Sequence, residues 1–218
     1  MELLNQFKDI FLHLDKHMNE VVNQYGTLTY LILFLIIFVE TGLVIMPFLP
    51  GDSLLFAAGA VAAISGNNLN ILYLMGLLIA AAFLGDTLNY WIGKYFGMKL
   101  FSLKIPFLKK EYLDQTHAFY EKHGGKTIII ARFVPIVRTF APFVGGMGSM
   151  DYKRFISYNL IGGIVWVVAL LSAGYFFGNI EIVKKNFSLV VLGIIFLSIL
   201  PPIIEFLKAK FSKSEARA

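Results

Sequence analysis

Two apolar stretches of this sequence carry charges of opposite sign. Glu40 and Asp52 are the only charged residues between Glu20 and Asp86, and Arg132 and Arg138 are the only ones between Lys126 and Asp151. The acids lie on either side of "LVIMPFLPG", and the arginines lie in "ARFVPIVRTFAPFVGG". A carboxylate removed from water holds a proton more readily, which makes Glu40 and Asp52 candidates for proton coupling. Arginine keeps its charge and offers a planar fork to phosphate or carboxylate, so Arg132 and Arg138 are candidates for anion binding. Pro47, Pro50, Gly51, Pro135, Pro142, Gly145 and Gly146 are expected to break the helices there. The backbone N–H groups they release would add donors for an anion. Asp86 and Asn89 share one helix face and make a secondary polar cavity; Asn89 is expected to cap hairpin backbone, and Asp86 fits either role. The same four hairpin charges also support a bland reading, a buried ion-pair lock between the two stretches. A charge at the bilayer centre costs about 2.5–3.5 kcal/mol, so all four must meet water, a ligand or each other.

The elements that carry these residues belong to a membrane. Of 218 residues, 57% are hydrophobic and only 15% charged, against about a quarter charged in soluble domains. The mean hydropathy is +0.71. Residues 1–25 space their apolar side chains as an amphipathic surface helix does, and lack the pattern of a secretory signal. Residues 28–64 are one apolar run broken at "MPFLPGD", too short after the break to span, which predicts a re-entrant hairpin. Residues 69–97 read as a spanning helix, 98–126 as a basic segment with a short amphipathic helix, and 127–150 as a second re-entrant hairpin. Spans are expected at 155–178 and 187–207, with a basic tail at 208–218. The fold class is therefore an all-α integral membrane protein in a single domain. The basic 98–126 segment and tail put the C-terminus in the cytoplasm by the positive-inside rule.

The halves of the chain resemble each other. "PFLPG" at 47–51 matches "PFVGG" at 142–146, and "GKYFG" at 93–97 matches "GYFFG" at 174–178. With the hairpins opening on opposite sides, the repeat is inverted, as in many transporters. Gly93, Gly97, Gly174 and Gly178 read as close helix packing. Trp166 reads as core or lipid-facing.

Several chemistries find no residues. There is no cysteine, hence no disulfide and no thiolate. No P-loop, His-Glu-x-x-His or Gly-x-Ser-x-Gly motif is present, so neither direct ATP use nor hydrolase chemistry is expected, and the chain reads as a non-enzyme. His13 and His17 are spaced one turn apart, but no acidic partner supports a metal site. His117 and His123 read as solvated. No cofactor, metal or nucleic acid is expected; the partners expected are protons, an anionic lipid and a homo-oligomer.

The stretches "FVETGLVIMPFLPGDSLLFAAGA", "GDTLNYWIGKYFG", "FYEKHGGKTIIIARFVPIVRTFAPFVGGMG" and "YNLIGGIVWV" resemble the bacterial DedA family of inner-membrane proteins over nearly the whole chain. The resemblance implies two opposed re-entrant hairpins, a place in the bacterial cytoplasmic membrane and a role in moving lipids dependent on the proton motive force. Undecaprenyl phosphate and phospholipids are the implied cargoes. The family's essential acids and arginines fall on Glu40, Asp52, Arg132 and Arg138. Two further readings stand beside a lipid flippase: a non-transporting membrane-organising protein built on the lock, and a proton-coupled small-molecule exporter. The paired arginines would repel a cationic export substrate.

Overall fold

The computed structural model describes residues 20, 22, 24–43, 51–64, 69–102, 110–187, 189, 190 and 192–194. Nearly all of the expected surface helix over 1–25, Pro47 and Pro50 of the first break, most of the 187–207 span and the basic tail lie outside the described residues. Helices α1 (Leu28–Gly42), α2 (Gly51–Ala62), α3 (Ile71–Ser102), α4 (Lys110–His123), α5 (Thr127–Ala131), α6 (Pro135–Val144), α7 (Tyr152–Phe177) and α8 (Glu181–Lys185) follow in order, and no strand occurs among the described residues.

Among the described residues, only α3 and α7 are long and apolar enough to cross a membrane, over Ile71–Gly97 and Tyr152–Phe177. At 1.5 Å per residue each apolar stretch is roughly 40 Å long, more than the ~30 Å hydrocarbon core. Both start on side-chain caps. Asn70 Oδ1 accepts from the backbone N–H groups of Leu72 and Tyr73, and the Asp151 carboxylate accepts from that of Lys153. Helices α1 and α2 are apolar but shorter, at 15 and 12 residues. The polar helix α4 tucks under α6, where the Tyr120 hydroxyl donates to the Ala141 carbonyl at 2.8 Å. Burial holds that phenol's pKa above its usual value, so it stays a donor.

Contacts fix the direction of each helix. Along α1 and α3, Tyr30 meets Asn70 and Gly42 meets Gly85, so the two run parallel, and α1 ends near the middle of α3. Along α5 and α7, Gly125 meets Tyr158 and Arg132 meets Gly162, so these also run parallel, and α5 ends near the middle of α7. Phe83 and Thr87 of α3 face Asn159, while Tyr90 stacks on Phe155, which makes α3 and α7 antiparallel. Helix α2 runs beside α7, where Gly174 abuts Phe56 and Gly178 abuts Ala60. Helix α6 and its continuation run beside α3, where Gly93 abuts Phe143 and Gly97 abuts Met147. Each second short helix thus lies on the long helix of the other half and runs antiparallel to the short helix before it.

This packing corrects the expected repeat. The match of "GKYFG" with "GYFFG" holds in the structure. The match of "PFLPG" with "PFVGG" does not, because Phe143, Gly146 and Met147 take the places of Phe56, Gly59 and Ala60. Pro142, Gly145 and Gly146 are accordingly not hairpin breakers. Pro142 lies inside α6, and Gly145 and Gly146 continue it as a π-helical turn over Gly145–Ser149. A Cβ on Gly146 would strike the Tyr90 carbonyl, so this glycine serves close packing. The second reversal lies at residues 132–134, directly before Pro135 at the start of α6. In the first half, α2 opens at Gly51.

Candidate functional site

Five charged side chains gather where the short helices end. Arg138, in the first turns of α6, spreads its fork over two acids. Its Nη2 donates to Glu40 Oε1 at 2.5 Å and its Nη1 to Asp52 Oδ1 at 3.0 Å. Glu40 comes from the last turn of α1 and Asp52 from the first turn of α2, where a carboxylate also suits the helix dipole. The Gly51 backbone N–H donates to the same Glu40 Oε1 at 3.1 Å. A Cβ at Gly51 would fall on the Glu40 carboxylate, so only glycine permits this approach.

Arg132 does not join the hairpin acids. Its Nη2 donates to Asp86 Oδ2 and to Asn159 Oδ1, each at 2.5 Å. The expectation that Glu40 and Asp52 oppose both arginines is therefore corrected: Arg138 takes both, and Asp86 of α3 supplies the partner of Arg132. A charged side chain buried beside the apolar faces of two spans needs a carboxylate partner, and Asp86 follows Gly85, which packs against Gly42 at the α1 terminus. The Asn89 amide donates to the Thr41 carbonyl at 3.1 Å and to the Thr139 carbonyl at 2.9 Å, joining α1 and α6 through one side chain.

Two residues of the site were not foreseen. Trp166 is fully buried in α7. Its indole N–H donates to Asp52 Oδ1 at 2.8 Å, and its ring lies 5.8 Å from the Arg132 guanidinium carbon and 5.4 Å from that of Arg138. A tryptophan at the middle of a span, away from the interfacial belts, was the available signal. Asn159 was signalled by being a lone amide in an apolar span, next to Gly162 and Gly163, which leave room for Arg132.

The cluster is nearly dry. The side chains of Glu40, Arg132, Asp86 and Arg138 are 1%, 2%, 4% and 7% exposed, while Asp52 is 17% exposed. Access to the cluster therefore runs past Asp52. Not every polar atom is satisfied inside. Glu40 Oε2, Arg132 Nε, Asn89 Oδ1 and Ser53 Oγ are buried without a hydrogen-bond partner among the described residues. No group of histidine and carboxylate side chains there could hold a metal ion among the described residues.

Comparison with known proteins places this architecture. Residues 49–176 match the VTT domain. The chain belongs to the VTT-domain (DedA) family. It is 55% identical to Protein DedA of Escherichia coli K12, across all of this chain and 99% of that one. It is 34% identical to the inner membrane protein YqjA of the same strain, over 85% of this chain and 83% of the relative. The inner membrane protein YghB of Salmonella typhimurium is likewise 34% identical, over 80% and 78%. No solved structure matches the chain. This VTT-domain protein is a membrane protein, and its relatives YqjA and YghB are named as inner membrane proteins. The domain match takes in Asp52, Asp86, Arg132, Arg138, Asn159 and Trp166, and leaves Glu40 just before its first residue.

Proposed function

We propose that this protein carries a phosphate-bearing lipid, such as a polyprenyl phosphate or a phospholipid, across the inner membrane, and that a proton moves with it. In this reading residues 28–64 and 127–150 are re-entrant hairpins whose tips meet at the bilayer midplane. Non-helical backbone is tolerated at that depth only where protein covers it or water fills a cavity. The C-terminus is cytoplasmic. Arg132 and Arg138 receive the phosphate, Glu40 and Asp52 handle the proton, and Asp86 and Asn89 hold Arg132 and the hairpin ends in place.

The observation that carries this reading is the incomplete satisfaction of the buried network. Three carboxylates and two guanidinium groups leave one surplus negative charge, and Glu40 Oε2 is an acceptor without a donor. A proton on Glu40 would remove that surplus charge. Arg132 Nε is a buried donor without an acceptor, which a phosphate oxygen would answer. A purely structural network gains most when every member is satisfied. The direct ion pairs favour a second reading, the static lock. Reconstitution into vesicles with labelled polyprenyl phosphate, with and without a pH gradient, separates the two. Gradient-dependent transfer of the lipid supports the carrier. Absence of transfer of every lipid tried, with stability lost in each charge variant, leaves the lock.

A further inference from the structure

Trp166 stands at a junction that the two arginines and Asp52 share. One carboxylate oxygen, Asp52 Oδ1, accepts from both the indole N–H and Arg138 Nη1. The indole ring is within cation–π range of both guanidinium groups, and nothing of it reaches the surface. Arg132 and Arg138 are thus kept as two separate ion-pair sites with an aromatic ring against each. Asp52, the most exposed of the five charged residues, is held across the approach to Arg138.

We propose that Trp166 is a positioning residue that keeps the anion site closed, by tying Asp52 to Arg138 through its N–H and by occupying the space beside both guanidinium groups. This rests on the reading of the arginines as the phosphate site. An arriving phosphate competes with Asp52 for Arg138 Nη1. When Asp52 gives way, the indole N–H loses its carboxylate, and the ring loses its fixed place beside the two charges. Trp166 therefore reports the state of the site as well as setting it. The amide and ion pairs around Arg132 do not depend on the indole N–H, so the two arginines respond unequally.

The chain has two tryptophans, and Trp91 lies away from the cluster, beside Tyr95 and Tyr152. The Trp91→Phe protein in lipid–detergent mixed micelles therefore gives fluorescence from Trp166 alone. Adding a polyprenyl phosphate is expected to shift its emission saturably, and the uncharged polyprenol of equal chain length is not. Asp52→Asn in the same background is expected to shift the emission with no lipid added. Trp166→Phe keeps an aromatic ring but loses the N–H and part of the ring's bulk, so it is expected to bind the phosphate roughly tenfold to a hundredfold more tightly, since one hydrogen bond to a charged group no longer favours the closed form. Saturable retention of labelled polyprenyl phosphate with unchanged Trp166 emission overturns the inference and leaves the lipid reading standing. No retention by the wild-type protein overturns the lipid reading, and this inference with it. The fluorescence measurement needs no Trp166 variant, so it decides the matter even if Trp166→Phe fails to fold.

Discussion

The two halves of the molecule share a frame and differ in chemistry. In the first half, α2 seats Phe56 and Gly59 on α7 at Leu171 and Gly174; in the second, α6 seats Phe143 and Gly146 on α3 at Tyr90 and Gly93. The same register puts Gly51 and Arg138 in equivalent positions, and likewise Asp52 and Thr139. One half presents a bare backbone N–H to the Glu40 carboxylate; the other presents a guanidinium to it. Repetition thus supplies the scaffold, in which backbones meet at glycines. The charges were placed asymmetrically on it, so that a donor from one hairpin meets acceptors from the other.

The asymmetry is broken most severely by Arg138→Ala. It strips the ion-pair partner from buried Glu40 and from half-buried Asp52, and loss of one member of a buried charge pair costs about 3–5 kcal/mol. Arg132→Ala strips one acid and one amide and should cost less. Equal losses in thermal unfolding of the purified proteins would show that the two arginines are not distinct. The shared frame is tested next. Gly93→Ala and Gly174→Ala each drive a Cβ into a backbone carbonyl of the neighbouring helix, and both should lose about 1–3 kcal/mol. Gly76→Ala, with open space around it, should gain up to about 1 kcal/mol. A large loss at one of the first two and none at the other would end the equivalence of the halves.

Asn89→Leu removes the single amide that donates to both hairpins. It should cost about 1–3 kcal/mol by leaving the Thr41 and Thr139 carbonyls short of a donor. Amide exchange should quicken at the C-terminal end of α1 and around Thr139 of α6 together, and quickening at only one would separate the two contacts. The smallest effect on stability is expected for Arg132→Lys. The contacts of Arg132 to Asp86 and Asn159 come from one nitrogen, which an ammonium can imitate, so the loss should be under about 1 kcal/mol. Lipid transfer should nevertheless be lost, because lysine has no fork. Transfer at the wild-type rate in that variant would remove Arg132 from the anion site.

Much of the fold was written in local patterns. Length and hydropathy marked α3 and α7, and the prolines and glycines around Gly51 and Pro135 marked the reversals. The glycines at 93, 97, 174 and 178 marked the close packing. The register of the repeat was misread because prolines were matched with prolines, whereas Pro142 lies within α6 and Pro135 opens it. Short motif matches cannot tell a breaking proline from one tolerated inside a helix, since that depends on which carbonyl finds another donor.

The sequence by itself determined that Glu40, Asp52, Arg132 and Arg138 could not face lipid, because a lone charge in hydrocarbon has no compensating partner. It also determined that two chain reversals would carry them. Which charge meets which was decided only by tertiary structure. Each short helix crosses to the other half's long helix, and that crossing delivers both acids to Arg138, gives Asp86 to Arg132 and sets Trp166 against both arginines. Ion pairs act over a few ångströms, and no spacing along the chain records which residues, as far apart as Glu40 and Arg138, will come that close.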